Sequence, residues 1–447
     1  MTRGSADRLG LRGTVALAVG LVGVWGCAST SGGPVQNTEQ ATAARERRVA
    51  ARRRARHRKR RIIMNNDGND LNRAKPDELK TPETFLAKRT TPLLGSQVDA
   101  IFYCTGVFNF YTHRSKESEL LTHKKTAARY VHELAKQGTD SLEIMTGFGH
   151  EHGIEVFWSM RMNDTHDSGR PELFCKWKQD HPEYLVGEKG RKFRYGCGRW
   201  SSVDYGVEAV RDKVYRILAD VCTRYDVDGI EMDFFRHPVL FKPQMTGEPV
   251  TQAHCDLLTE LIRRVRRMTE QVAAERGRPL LIAIRIPDSV GYCKAMGIDL
   301  VRWLDEDLVD IVTGCGYFKL EPWETLVALG KRHDVPVYAC LVTRRIAPRT
   351  KQGDAEHMLK RFRGEALHAW RAGVSGIYTF NQFNPRAQIF RELGDPALLE
   401  TLERIDGTAY VEKSSWSKPG KWLKDGQTFV RPPGKPKDHS KGARPAG

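Results

Sequence analysis

Tyr225-Asp-Val-Asp-Gly-Ile-Glu-Met-Asp-Phe-Phe-Arg-His-Pro238 decides how the rest of this chain is read. It begins where an amphipathic helix over 204–225 ends, and Asp226 and Gly229 turn the chain into a strand. From Gly229 the side chains alternate, so Glu231 and Asp233 face one way and Ile230, Met232 and Phe234 the other. Two carboxylates on one face are costly to bury unless something pairs with them, which marks the strand as a site. A solvated surface strand is the competing reading. The apolar opposite face and the flanking helices argue instead for a strand covered on both sides.

Strand-like and helix-like segments alternate outward from this stretch with few long gaps. Strands are expected at 62–64, 98–104, 154–160, 229–234, 280–285, 309–313, 335–341 and 376–380. Helices are expected from a Thr81-Pro82 start, then over 121–136, 204–225, 251–275, 298–306, 323–332, 355–371 and 396–404; Pro82 suits a first helical position. Eight strands, each followed by a helix, predict a (β/α)8 TIM barrel over 61–405. A doubly wound open sheet is the alternative, but no Gly-rich phosphate loop follows an early strand.

A barrel's chemistry gathers at the C-terminal ends of its strands. There the sequence places Asn66 and Asp67; Asn109 and His113; Trp158, Arg161, Asn163 and His166; Glu231, Asp233 and His237; Arg285 and Asp288; Tyr317 and Glu321; and Asn381. Aromatic faces stack on sugar C–H faces while amides and carboxylates bond hydroxyls, so this mixture predicts a carbohydrate cleft. Each member also has a plainer role available as a helix cap or loop hydrogen bond. For Arg161 and Arg285 the plainer role is neutralising the strand-four carboxylates.

The net charge of +17 is confined to the ends. Residues 44–61 carry eleven Arg/Lys and one Glu, and 413–447 carry nine and two acids, while 62–412 holds 49 basic against 50 acidic residues. A neutral body argues against specific nucleic-acid binding. An arginine-bearing start and the apolar run Val15-Ala-Leu-Ala-Val-Gly-Leu-Val-Gly-Val-Trp-Gly26 suit a signal-peptide core too short to span a bilayer. Val24-Trp-Gly-Cys27 resembles a bacterial lipobox, which implies cleavage before Cys27, lipid on its sulfur and a membrane anchor. The expected organisation is therefore 1–27 signal peptide, 28–60 flexible Arg-rich linker, 61–405 barrel and 406–447 a largely disordered extension. The basic ends are expected to be dispensable for catalysis. Cys104, Cys222, Cys315 and Cys340 read as buried thiols, and Cys175 and Cys197 as a possible disulfide. No CxxC or HxxxH spacing points to zinc, and no metal or organic cofactor is expected.

Five segments resemble the bacterial glycosyl-hydrolase-like family 10 proteins: His181-Pro-Glu-Tyr-Leu185, Val203-Asp-Tyr-Gly-Val-Glu-Ala-Val-Arg211, Tyr225-Asp-Val-Asp-Gly-Ile-Glu-Met-Asp233, Gly314-Cys-Gly-Tyr-Phe318 and Gly373-Val-Ser-Gly-Ile-Tyr378. The resemblance implies an exported barrel acting on carbohydrate. The strand-four segment is also similar to the Asp-Gly-x-Asp-x-Asp-x-Glu motif of family 18 chitinases. Glu231 stands at the first spaced aspartate, Asp233 at the second and Phe235 at the acid/base glutamate, so that family's mechanism is not carried over.

The expectation is an exported glycoside hydrolase using carboxylate acid/base chemistry. Asp233 would be the ionised nucleophile or stabiliser, Glu231 its proton-sharing support, and Asp288, then Glu321, the acid. A non-catalytic carbohydrate-binding lipoprotein on a degenerate barrel is the alternative.

Overall fold

A computed structural model describes residues 34–70, 81–121, 125–191, 200–246, 248–316, 319–347 and 353–407. The chain divides into two compact units, 1–46 and 47–447. In the first, helix begins at Pro34. The barrel lies in the second. Tyr317, Cys197, Cys27 and the extension from 408 onward lie outside the described residues.

Eight parallel strands close into the predicted barrel: β1 (Ile62–Asn66), β2 (Val98–Tyr103), β3 (Glu155–Arg161), β4 (Gly229–Asp233), β5 (Leu281–Pro287), β6 (Ile311–Cys315), β7 (Val337–Leu341) and β8 (Gly376–Thr379). Each pairs with its sequence neighbours, and β1 pairs with β8 to complete the ring. Covered by helices outside and side chains inside, the strands are buried on both faces, as parallel sheets require. The helices Pro82–Arg89, Glu208–Arg224, Gln252–Arg276, Trp323–Arg332 and Ala355–Ala372 fall where the periodicity places them. The first has Pro82 inside its start and a capping box from Thr81.

Register sets the interior in rows. Phe157, Gly229 and Leu281 lie side by side, then Ser159, Glu231 and Ala283, then Arg161, Asp233 and Arg285. Gly229 has to be glycine, because a Cβ there would lie 2.3 Å from the Phe157 ring and 2.6 Å from the Leu281 carbonyl oxygen. Phe102 stacks on Phe157 with ring centroids 4.4 Å apart and meets Tyr378 edge-on at 5.6 Å. This aromatic layer fills the barrel beneath the polar rows, as interior layers do in such barrels.

Among the differences from expectation, two stand out. The helix Ser141–His152 is additional: Asp140 accepts from the Leu142 and Glu143 N–H groups, and Gly153 ends it at φ 67. Gly147 and Gly149 weaken its local helix signal. Gly149 lets it close on β3, since a Cβ would sit 2.5 Å from the Ile154 carbonyl oxygen.

The second difference corrects the linker reading. Residues 47–56 are helical, and Arg52, Arg56 and Arg60, spaced by four, are buried. Arg52 pairs with Asp307, and Arg56 pairs with Asp307 and, at 3.0 Å, with Asp310. Asp310 also accepts from Arg266 at 2.7 Å and from the Ile282 N–H at 2.8 Å. Arg60 is fully buried; its guanidinium donates to both Glu155 oxygens at 2.6 and 3.0 Å and to the Ala55 and Arg56 carbonyls, each at 3.0 Å. Those carbonyls belong to the last turn of the helix, where a cation is favoured. One side chain therefore caps the helix and closes the N-terminal end of the barrel.

Candidate active site

Alternation on β4 holds as read: Ile230, Met232 and Phe234 join the outer core, and Glu231 and Asp233 point inward, with no solvent exposure. Asp233 Oδ1 accepts from the Phe235 and Arg236 N–H groups at 3.0 and 3.1 Å, and Oδ2 accepts from Arg285. Its two oxygens thus meet three donors. Arg285 in turn lies against the rings of Phe380 and Tyr378, 4.4 and 5.4 Å from their centroids.

Glu231, one row deeper, accepts from Ser159 Oγ at 2.5 Å and Tyr378 OH at 3.1 Å, and stands 3.7 Å from Arg285. Burial pushes its carboxyl up and the Asp233 charge adds to this, against Arg285, to about 7. In an unfolded chain a glutamate titrates near ~4.3. Its proton-linked stability is thus fully present below that value and lost as pH rises through about 7. Glu231→Gln, which keeps the shape without the titration, should flatten the fall in melting temperature between pH 5 and pH 8. An unchanged fall would place the titration on another group.

Above this floor lies a ring of charge. Arg161 reaches Asp67 after β1 and Asp164 at 2.9 Å. Burial raises both carboxyls, yet Arg161 together with the neighbouring cations and hydrogen bonds reverses it: Asp67 is held down to about 2 and Asp164 well below the usual range. Asp164 accepts from the half-buried His166, Nδ1 at 2.7 Å, whose Nε2 is 3.4 Å from Arg236. His237 Nδ1 lies 3.1 Å from both the Thr165 nitrogen and the Asn163 oxygen, and burial holds its pKa down to about 3, so the ring is neutral. Asn381, half-buried at φ 58, follows β8 at the same end.

Other expected site residues are engaged elsewhere. Trp158 points outward into the core and donates to Thr105 at 2.9 Å. His113 is buried beside it, bonded to Thr105 and stacked on Tyr111. Asn109, in a turn at φ 58, donates to Glu119 at 3.2 Å. Asn163 spends its amide on the Val203 and Val239 backbone, and Asn66 ties Asp70 and Gly68 into the loop after β1.

Asp288 and Glu321 form a second cluster over β5 to β7. Asp288 accepts from Arg345 at 2.8 Å and Glu321 from Ser289 at 2.9 Å, and burial pushes both carboxyls up. Ser159, Tyr378 and Phe380 complete the floor and were not singled out from the sequence, although a hydroxyl inside the otherwise apolar run of β3 is a readable signal. Among the described residues no group of three or more His, Cys, Asp or Glu side chains is arranged to hold a metal ion.

Fold and site together define a (β/α)8 barrel with a charged mouth at the C-terminal ends of its strands. No protein-family model matches the chain, and no curated protein matches it. Solved structures similar to it include the PgaB (BpsB) glycoside hydrolase domain from Bordetella bronchiseptica, at 12% identity over 75% of this chain and 99% of that one, TM-score 0.48. They also include an alpha-amylase from Geobacillus thermoleovorans, at 11% over 77% and 80%, TM-score 0.45. A third is a family 18 N-acetylglucosaminidase from Paenibacillus barengoltzii, at 11% over 77% and 100%, TM-score 0.42.

Proposed function

We propose that the chain is a glycoside hydrolase whose substrate enters the mouth of the barrel. The observation that carries this reading is the β4 pair: a carboxylate at Asp233, held by Arg285 and two N–H groups, beside a carboxyl at Glu231 that keeps its proton to about pH 7. A carboxyl raised by burial beside a second one held by donors is an arrangement glycosidic chemistry uses. With both its oxygens engaged, Asp233 is better suited to stabilising positive charge at the sugar centre than to attacking it. Glu231 fixes that charge from below.

For the leaving oxygen, Glu321 is the better donor of the two expected acids. Burial raises it, one of its oxygens has no protein partner, and no cation pairs with it among the described residues. Asp288 is neutralised by Arg345. The resemblance to glycosyl-hydrolase-like family 10 agrees with this reading and with export, and the separate lipobox-like stretch Val24-Trp-Gly-Cys27 adds a lipid on Cys27.

The test is release of reducing ends from a panel of soluble polysaccharides by the purified chain, with Glu321→Gln alongside. Turnover is expected, reduced at least ~10²-fold in the variant, a loss typical of removing a general acid. Retention on an insoluble glycan with no release from any substrate would sink the hydrolase reading.

A further inference from the structure

The arginine run has two faces, and the fold uses only one of them. Arg52, Arg56 and Arg60 are locked inward on Asp307, Asp310 and Glu155. Their fixing turns the rest of the run outward: Arg47, Arg48, Arg53, Arg54, Arg58 and Lys59 are all exposed. Arg58 is tethered to the Gly153 carbonyl and lies 3.6 Å from Glu155. None of Arg47, Arg48, Arg53, Arg54 and Lys59 forms an ion pair among the described residues.

We infer that this outward face is a docking surface for anionic phospholipid headgroups, so that the barrel rests on a membrane by its N-terminal end with its mouth turned away. Three observations favour a lipid surface over a long polyanion. The patch neighbours the Arg56–Asp310 and Arg60–Glu155 pairs and so sits at the pole opposite the mouth. The rest of the body, 62–412, is balanced at 49 basic and 50 acidic residues and so adds no net attraction for a long polyanion. Guanidiniums held on an ordered face match phosphate oxygens with little ordering cost, and cations close to an anionic bilayer each add to binding until salt screens them. The inference does not depend on the hydrolase reading or on a lipid at Cys27.

The test uses the full chain with Cys27→Ser, which carries no lipid, sedimented with vesicles of phosphatidylcholine alone or with phosphatidylglycerol added. The readout is the difference between the two vesicle types, which removes any contribution from the apolar run at 15–26. Binding is expected to the anionic vesicles and to fade at high salt. In a variant carrying Arg47→Gln, Arg48→Gln, Arg53→Gln, Arg54→Gln and Lys59→Gln the affinity difference should fall at least tenfold, with the melting temperature little changed because none of these side chains forms an ion pair among the described residues and only Arg53 and Arg54 face the helix end. A loss below threefold would assign the attraction to another segment, such as the basic tail at 413–447, and overturn the proposal. So would binding to heparin with no preference for anionic vesicles.

Discussion

Replacing Asp233 with Asn is expected to lower turnover at least ~10²-fold, the loss typical of removing one preorganised electrostatic group from an active site. The change also bears on the fold, because Asp233 is the buried counter-ion of Arg285. An unpartnered buried charge costs about 3–5 kcal/mol. The single variant should lose less, because Glu231 stands 3.7 Å from the same guanidinium and its carboxyl is raised partly by Asp233 itself. Without that charge Glu231 ionises more readily and takes over the pairing. Asp233→Asn with Glu231→Gln removes both partners, so its loss of stability in denaturant unfolding should clearly exceed the sum of the two single losses. Simple additivity would mean that Glu231 does not compensate.

At the other end of the barrel, Asp310→Ala should cost about 3–5 kcal/mol, the effect of breaking a buried charge network on one side. Asp310 is fully buried, accepts from Arg56, Arg266 and the Ile282 N–H, and has Arg52 within 3.8 Å. Its removal leaves guanidiniums facing one another. Burial alone would raise its carboxyl, and the surrounding arginines reverse this and hold it below the usual range. The same network bears on truncation. A chain beginning at 47 should melt with the full-length protein, whereas one beginning at 58 lacks Arg52 and Arg56 and should melt lower. Equal melting of the two would show that the buried arginines contribute nothing to stability.

The barrel was legible because its strands are short apolar runs at regular spacing, and because alternation on β4 assigns both carboxylates to one face. The same rule, applied to β3, would have placed Ser159 and Arg161 inside and Trp158 outside with Met160. The aromatic suggested a sugar platform and took precedence over the period. Arg52, Arg56 and Arg60 were hidden by company: three structural cations among eleven basic residues look like solvated charge, and their partners Asp307, Asp310 and Glu155 lie far away in sequence. The four-residue spacing was the available trace. Arg285 neutralises a strand-four carboxylate as its plainer reading had it. What no local pattern could give was the diversion of Arg161 to Asp67 and Asp164 and the separation of Asp288 and Glu321 into a cluster of their own, since both follow from how strand ends meet across the barrel.

Arg60 has a mechanical meaning as well. Its guanidinium grips the end of the helix through the Ala55 and Arg56 carbonyls and the first residue of β3 through Glu155. With Arg52 and Arg56 attached to the segment before β6, a pull on residue 47 is shared by three arginines at two places on the rim instead of peeling β1 away one hydrogen bond at a time. Load arriving from the N-terminal side would be met in shear, the direction in which closely packed ion pairs give way together and late.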